Sequence, residues 1–376
     1  MNTEDYRVMR PGVLNQNQIE TLNGTLIHGL RDSQIDLSAF DLHLSREGWE
    51  MQASSKPLCR EDISEITQKH GNHLPTDGPW ELVSGKTYIF QLRESLNLPK
   101  DSFFFCQATG KSSVGRLDVL ARLMANKCGA FDTIDCEGYD GSLYLEVTPI
   151  TFPIRVQEGT ALAQLRLFRG KPDWSELRTE ELKLFGSMIL KQDGQPKTHQ
   201  DVADLTVDLS PTENGFVAFR TKDKKEITKK GLVVDLTTEN KFDPKEFWEP
   251  EAEEEKGELE IEPERFYILR SKERFRLPND VAVYCQAVSE TLGELRIHYA
   301  GFVHPGFGLE RPRGTPIIFE VRGHNVKVLL RDGEKLARIK FYRMSKRCED
   351  SCIQNKKSGY EGQELKLSKY FSDWPR

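Results

Sequence analysis

The chain has 376 residues, with 53 lysines and arginines against 59 aspartates and glutamates and a formal net charge of −6. That length exceeds one minimal domain and suffices for two, each burying its own core. The mildly acidic balance argues against a face that coats nucleic acid, so any polyanion must be held by a local pocket.

No run of about 18 apolar residues occurs, and the first thirty residues lack the basic start and apolar stretch of a signal peptide. The chain is therefore read as soluble and cytoplasmic, with neither a membrane nor a nucleic acid as partner. Seven cysteines, at positions 59, 106, 128, 136, 285, 348 and 352, are scattered in mostly apolar surroundings, as expected of reduced thiols. Cys348 and Cys352 are separated by three residues and His70 and His73 by two. Neither pair has a second pair beside it, so no metal held by protein ligands is expected.

In chain order, short runs rich in β-branched, aromatic and leucine residues alternate with turn residues. They are KTYIFQL (86–92), DSFFFCQA (101–108), SLYLEV (142–147), FPIRV (152–156) and ALAQLRLF (161–168). The pattern predicts a mainly β fold of the sandwich or jelly-roll kind. RLDVLARLMA (116–125) fits a brief helix or a further strand, and strand is favoured. Between the first two runs and SLYLEV lies GKSSVGR (110–116), which packs glycine, lysine, two hydroxyls and an arginine into seven residues. Such a turn suits an anion, because backbone N–H groups, hydroxyls and cations together hold phosphate oxygens and orient a water. A polar turn with a structural arginine is the competing reading, and the glycine spacing is not that of a P-loop.

In SLYLEV, alternation puts Leu143 and Leu145 on one face and Tyr144 and Glu146 on the other. A carboxylate in a hydrophobic strand faces solvent, pairs with an arginine such as Arg116, or lines a pocket where burial raises its pKa for proton transfer. Further on come a polar region, Lys191 to Thr212, and an acidic tract, Glu249 to Glu264, read as a solvated loop or disordered insertion.

The second half then repeats the first. YIFQLRESLNLPKDSFFFCQA (88–108) returns as YILRSKERFRLPNDVAVYCQA (267–287) without a gap. Glu146-Val147 precedes Gly159 as Glu320-Val321 precedes Gly333, 13 residues in each case (159 − 146 and 333 − 320), and LAQLRLF is answered by LARIKFY.

GKSSVGR, IDCEGYDGSLYLEV (134–147) and EGTALAQLRLF (158–168) resemble, in order and approximate spacing, the dCTP deaminase branch of the dUTPase-like family. QIDLSAFDLHLS (34–45) is similar to that family's early strand signature, and AGFVHPGFG (300–308) to its Asp-Pro-Gly turn with histidine for aspartate. GYEGQELKLSKYF (359–371) resembles the C-terminal segment that closes over nucleotide. The two-repeat layout is similar to a long bacterial form of the deaminase.

The resemblance implies two tandem dUTPase-like distorted jelly-roll β-barrels. Residues 1–195 would carry the catalytic motifs, and 196–376 would be a degenerate repeat with the closing segment. It implies hydrolytic deamination of dCTP to dUTP and ammonia without zinc, with magnesium accompanying the triphosphate. Glu146 would activate the attacking water and carry protons, with Ser112 and Arg116 positioning that water. Lys111 and Ser113 would contact phosphate, Gln164 would lie close to the phosphates, and Tyr360, Gln363 and Lys369 would come from the closing segment. Tyr139 joins the substrate contacts. Asp132 and Asp135 compete for the sugar contact, with Asp135 preferred, and Ala125 and Ala130 for the base-contacting turn. The zinc-deaminase strings H-x-E and P-C-x-x-C are absent from the sequence.

SETLGELR (289–296) replaces the Gly-Lys-Ser-Ser block in the second repeat, which is therefore read as catalytically silent, although Glu320 remains. A site composed from both repeats or from several chains, and a homo-oligomer based on trimers, are further implications. The competing functions are a dUTP diphosphatase or bifunctional enzyme on the same fold, and a non-catalytic nucleotide-binding protein.

Overall fold

The computed structural model describes residues 8–197, 204–252, 257–287, 295–297, 301–355 and 362–375. In the first half, β1 (Phe40–Met51), β2 (Thr87–Leu98), β3 (Phe104–Gly110), β4 (Val119–Ala125), β5 (Tyr139–Pro149) and β6 (Ala161–Arg169) follow the sequence alternation closely. They run through one sheet in the order β4, β5, β2, β1, β6, β3. RLDVLARLMA is a strand from Val119 onward, and one helical turn, α1 (Ser112–Gly115), precedes it.

The second half repeats this arrangement with β7 (Asp204–Asp208), β8 (Ala218–Thr221), β9 (Trp248–Glu251), β10 (Phe266–Phe275), β11 (Val281–Ala287), β12 (Thr315–Gly323) and β13 (Lys335–Arg343). Its path is β9, β8, β10, β7, β13, β11, with β12 pairing β10. The fold is therefore mainly β and built from two barrel-like sheets.

The duplication extends to register. Glu146 in β5 sits opposite Ile89 in β2, and Glu320 in β12 sits opposite Ile268 in β10. Each isoleucine directly follows the tyrosine that opens its repeat, so the two glutamates occupy the same place in their units. Six residues after each of those tyrosines lies a buried glutamate that closes the neighbouring strand. Glu94 accepts from the His43 amide at 2.8 Å, and Glu273 from the Thr206 amide at 2.7 Å. Burying a carboxylate is costly without such charge-assisted partners.

Two sequence expectations are corrected. The acidic tract is not a solvated insertion at its described ends, because β9 and a strand at Glu258–Ile261 form there, with Leu259 and Ile261 fully buried. Its carboxylates are neutralised by arginine: Arg220 reaches Glu251 at 2.9 Å and Glu249 at 3.1 Å. The crossing between repeats also comes earlier than residue 195. Leu177, Leu182, Met188 and Ile189 already pack in the second core, and the polar region beyond them supplies β7, whose Leu205 and Val207 are fully buried.

The halves share apolar surface. Phe152 of the first repeat packs its ring 5.3 Å from Trp248, 5.7 Å from Phe247 and 6.3 Å from Phe371 of the second. Full burial of one such ring is worth about 1.5–3 kcal/mol, so this seam holds the C-terminal segment firmly against the first repeat. Among the described residues no helix is long and apolar enough to cross a membrane.

Candidate active site between the two repeats

At the end of β3 the chain closes a single turn on Lys111, whose carbonyl accepts from the amides of Val114 at 2.8 Å and Gly115 at 2.9 Å. Residues four apart on such a turn share a face, which sets Arg116 Nε 3.2 Å from Ser112 Oγ. Ser112 is exposed, whereas Arg116 is buried. Its guanidinium donates to Gln363 Oε1 at 2.9 Å and to the Lys366 carbonyl at 2.9 Å. Ser368 Oγ donates to the Ser113 carbonyl at 2.6 Å. The closing segment is thereby docked on the GKSSVGR turn of the other repeat, and Arg116 is the buried cation that docks it.

The carboxylate that meets this turn is Glu320, not Glu146. β12 carries Glu320 to the seam, 5% exposed, beside Arg116 and Gly115. Burial pushes its carboxyl up to about 8, with Arg116 pulling it back and Asp118 adding to the rise. A carboxyl that titrates so near neutrality can both give and take a proton. A Cβ on Gly115 would stand 2.9 Å from Glu320 Cδ. Gly115 lies in a helical turn that alanine accepts, so Gly115→Ala displaces a flexible carboxylate rather than backbone. Steady-state kinetics on this variant should show turnover falling about 10²-fold, with the melting temperature within about 3 °C of wild type.

The raised pKa also carries a stability prediction. The unfolded chain releases the Glu320 proton near the ordinary value of 4.5, whereas the folded chain keeps it to about 8. Stability from this group is full below the lower value and is lost as pH rises through the upper one. Glu320→Gln has no such proton to lose. Its melting temperature relative to wild type should therefore rise by roughly 5 °C between about pH 5 and about pH 9; an unchanged difference would contradict the raised pKa.

Adjoining the turn is a polar cavity of about 310 Å³, lined by Asp41, Lys111, Gly159, Thr160, Lys369 and Tyr370 among others. Lys111 pairs with Asp41, and Lys369 with Glu239 at 2.5 Å. Gln164 lies opposite Asp41 in the sheet and donates to Thr109 Oγ1 at 3.3 Å, but it is not among the residues that line this cavity. Two lysines beside backbone amides in a concave polar space suit phosphate oxygens.

Other expected residues lie elsewhere. Glu146 is buried in its own repeat against Arg122, which stacks over the Phe131 ring at 3.9 Å, and it accepts from Ser54 Oγ and the Ser55 amide at 3.2 Å each. The chain at Ser54 and Ser55 thus covers the carboxylate that strand alternation singled out. Asp132 belongs to that pocket: burial pushes it up to about 7, and it accepts from the Leu123 amide at 2.7 Å. Asp135 is exposed, 3.7 Å from Lys171, and Tyr139 donates to the Ser142 carbonyl at 2.6 Å. Neither meets Arg116. Tyr360 lies outside the described residues. Among the described residues no group of three or more His, Cys, Asp or Glu could hold a metal ion.

Sequence reasoning passed over Asp118 and Arg322 and treated the repeat carrying Glu320 as silent. The signal for Glu320 was its matched spacing to Gly333; the loss of the Gly-Lys-Ser-Ser block from its own repeat hid this contact. The turn that carries Ser112 and Arg116 beside it comes from the other repeat.

Comparison with known proteins agrees with this architecture. Residues 10–171 match the family model for the 2'-deoxycytidine 5'-triphosphate deaminase (DCD) N-terminal domain, and residues 175–371 match that for the C-terminal domain. The crystal structure of 2'-deoxycytidine 5'-triphosphate deaminase from Agrobacterium tumefaciens superposes with a TM-score of 0.82 at 31% identity, covering 91% of this chain and 98% of that one. A dCTP deaminase of Haloarcula marismortui is 24% identical over 161 residues, 42% of this chain and 73% of the relative.

Proposed function

Because the chain belongs to the 2'-deoxycytidine 5'-triphosphate deaminase family, we propose that it hydrolyses dCTP to dUTP and ammonia in the cleft between its repeats. The observation that carries the site assignment is the buried Glu320 carboxyl packed against the Ser112–Arg116 turn, its pKa raised by burial.

In this reading water adds to C4 of the cytosine ring. Glu320 gives its proton to the ring nitrogen, takes one from the attacking water and passes it to the amino group; as the tetrahedral carbon expels ammonia, the remaining proton on the C4 hydroxyl returns to Glu320 and the carbonyl forms. One water is consumed and one ammonia released, and Glu320 ends as it began. Ser112 and Arg116 hold the attacking water and the charge that develops on its oxygen. Lys111 and Lys369 take the phosphate oxygens, Ser113 adds backbone contacts, and Gln164 stands near them. Magnesium enters with the triphosphate as part of the substrate, and zinc takes no part. A trimeric assembly and a cytoplasmic location with reduced thiols complete the reading.

The test is ammonia release from dCTP with magnesium after exhaustive zinc chelation, with products separated by chromatography. Equimolar dUTP and ammonia are expected, and dUMP with ammonia would mark a bifunctional enzyme. No ammonia from any deoxycytidine nucleotide would overturn the assignment, and sedimentation as a monomer would overturn the trimer.

A further inference from the structure

Glu320 and Arg322 stand two residues apart in β12, so their side chains leave the sheet on one face. Arg116 and Asp118 stand two apart in the segment that follows α1. Arg116 meets Glu320, and Arg322 pairs with Asp118 and donates to Thr151 Oγ1 at 2.7 Å. The seam is thus crossed by two rungs of opposite polarity: cation to carboxylate, then carboxylate to cation. Asp118 is fully buried, and Thr151 Oγ1 donates to it at 2.6 Å. Its φ of 57° lies in the left-handed region, where glycine would sit without steric cost. An aspartate held there, out of solvent and aimed at the other repeat, is a conformation that the cross-repeat contact maintains.

We propose that Asp118 and Arg322 form a positioning pair that fixes the approach of the Arg116 turn to the Glu320 strand and balances the charge around the Glu320 carboxyl. The inference rests on the reading of Glu320 as the proton-transferring group and deepens it. The charged groups around that carboxyl are Arg116 and Asp118 from the turn, Arg322 on its own strand, and Lys224, which faces Asp118 and Arg322 from the helix at Lys224–Lys229. Asp118 opposes ionisation of Glu320, and Arg322 neutralises Asp118.

Removing each partner therefore acts in opposite directions. Asp118→Asn keeps a residue tolerant of the left-handed region, removes a negative charge, and should move the Glu320-dependent limb of the kcat/KM profile for dCTP about one unit toward acid. Arg322→Gln unmasks Asp118 and should move it about one unit toward alkali, while Arg322→Lys keeps the wild-type limb. In Asp118→Asn and Arg322→Gln kcat should fall about tenfold with KM within about threefold, as loss of positioning predicts. A merely structural role would lower activity and melting temperature in both without opposite displacements, so limbs that coincide with wild type or move the same way would overturn the proposal. If wild type releases no ammonia, the functional reading fails separately. The pair is then tested by titrating the Glu320 carboxyl infrared band, obtained by subtracting Glu320→Gln, in the two variants, with the same opposite shifts expected.

Discussion

Glu320→Gln is expected to reduce kcat for dCTP about 10³-fold, as removal of a general acid and base does, whereas Glu146→Gln leaves it within about fivefold. The two glutamates hold equivalent register positions opposite Ile268 and Ile89, so local strand structure does not distinguish them. Their surroundings do. Glu320 faces the Ser112–Arg116 turn, and burial holds its proton to about 8, while Glu146 is consumed by Arg122, Ser54 and Ser55. Removing a buried carboxylate from its cation strands that cation. Glu146→Gln should therefore appear as a fall of roughly 5 °C in melting temperature instead. Single-turnover ammonia release and calorimetry on both variants decide the matter. Abolition of activity by Glu146→Gln with Glu320→Gln still active would remove the cross-repeat site.

Arg116→Ala is expected to cost about 10²–10³ in kcat and to release the closing segment. The guanidinium serves Ser112 Oγ, Gln363 Oε1 and the Lys366 carbonyl at once, and its charge faces Glu320. Leaving the buried Gln363 Oε1 without its donor costs about 1–3 kcal/mol. Residues 362–371 should then become accessible to limited proteolysis, even though Phe371 remains packed on Phe152. Arg116→Lys restores the charge but not the fork of donors, so it should recover part of kcat while the segment stays loose. Wild-type resistance to protease in Arg116→Ala, with kcat within about tenfold, would contradict this role.

The sequence carried the β class, the duplication and the polar glycine turn because each is a local property. Alternation in SLYLEV, the ungapped match of residues 88–108 to 267–287, and the composition of GKSSVGR all lie within one short stretch or in the comparison of two. It misread the acidic tract because charge composition does not report the arginine partners, and Arg220 lies about thirty residues away from them in the chain. It also passed over β7 in a polar region, where Leu205, Val207 and Leu209 mark the buried face.

What the sequence by itself determined is that two like barrels each offer a glutamate on the same strand, and that one of them offers a serine and an arginine on a glycine turn. Only the tertiary structure decided which glutamate that turn meets. Alternation fixes the face from which a side chain leaves its strand, but its neighbour across a seam depends on how whole units pack. The apolar contact of Phe152 with Trp248, Phe247 and Phe371 brings the first repeat's turn to the second repeat's strand.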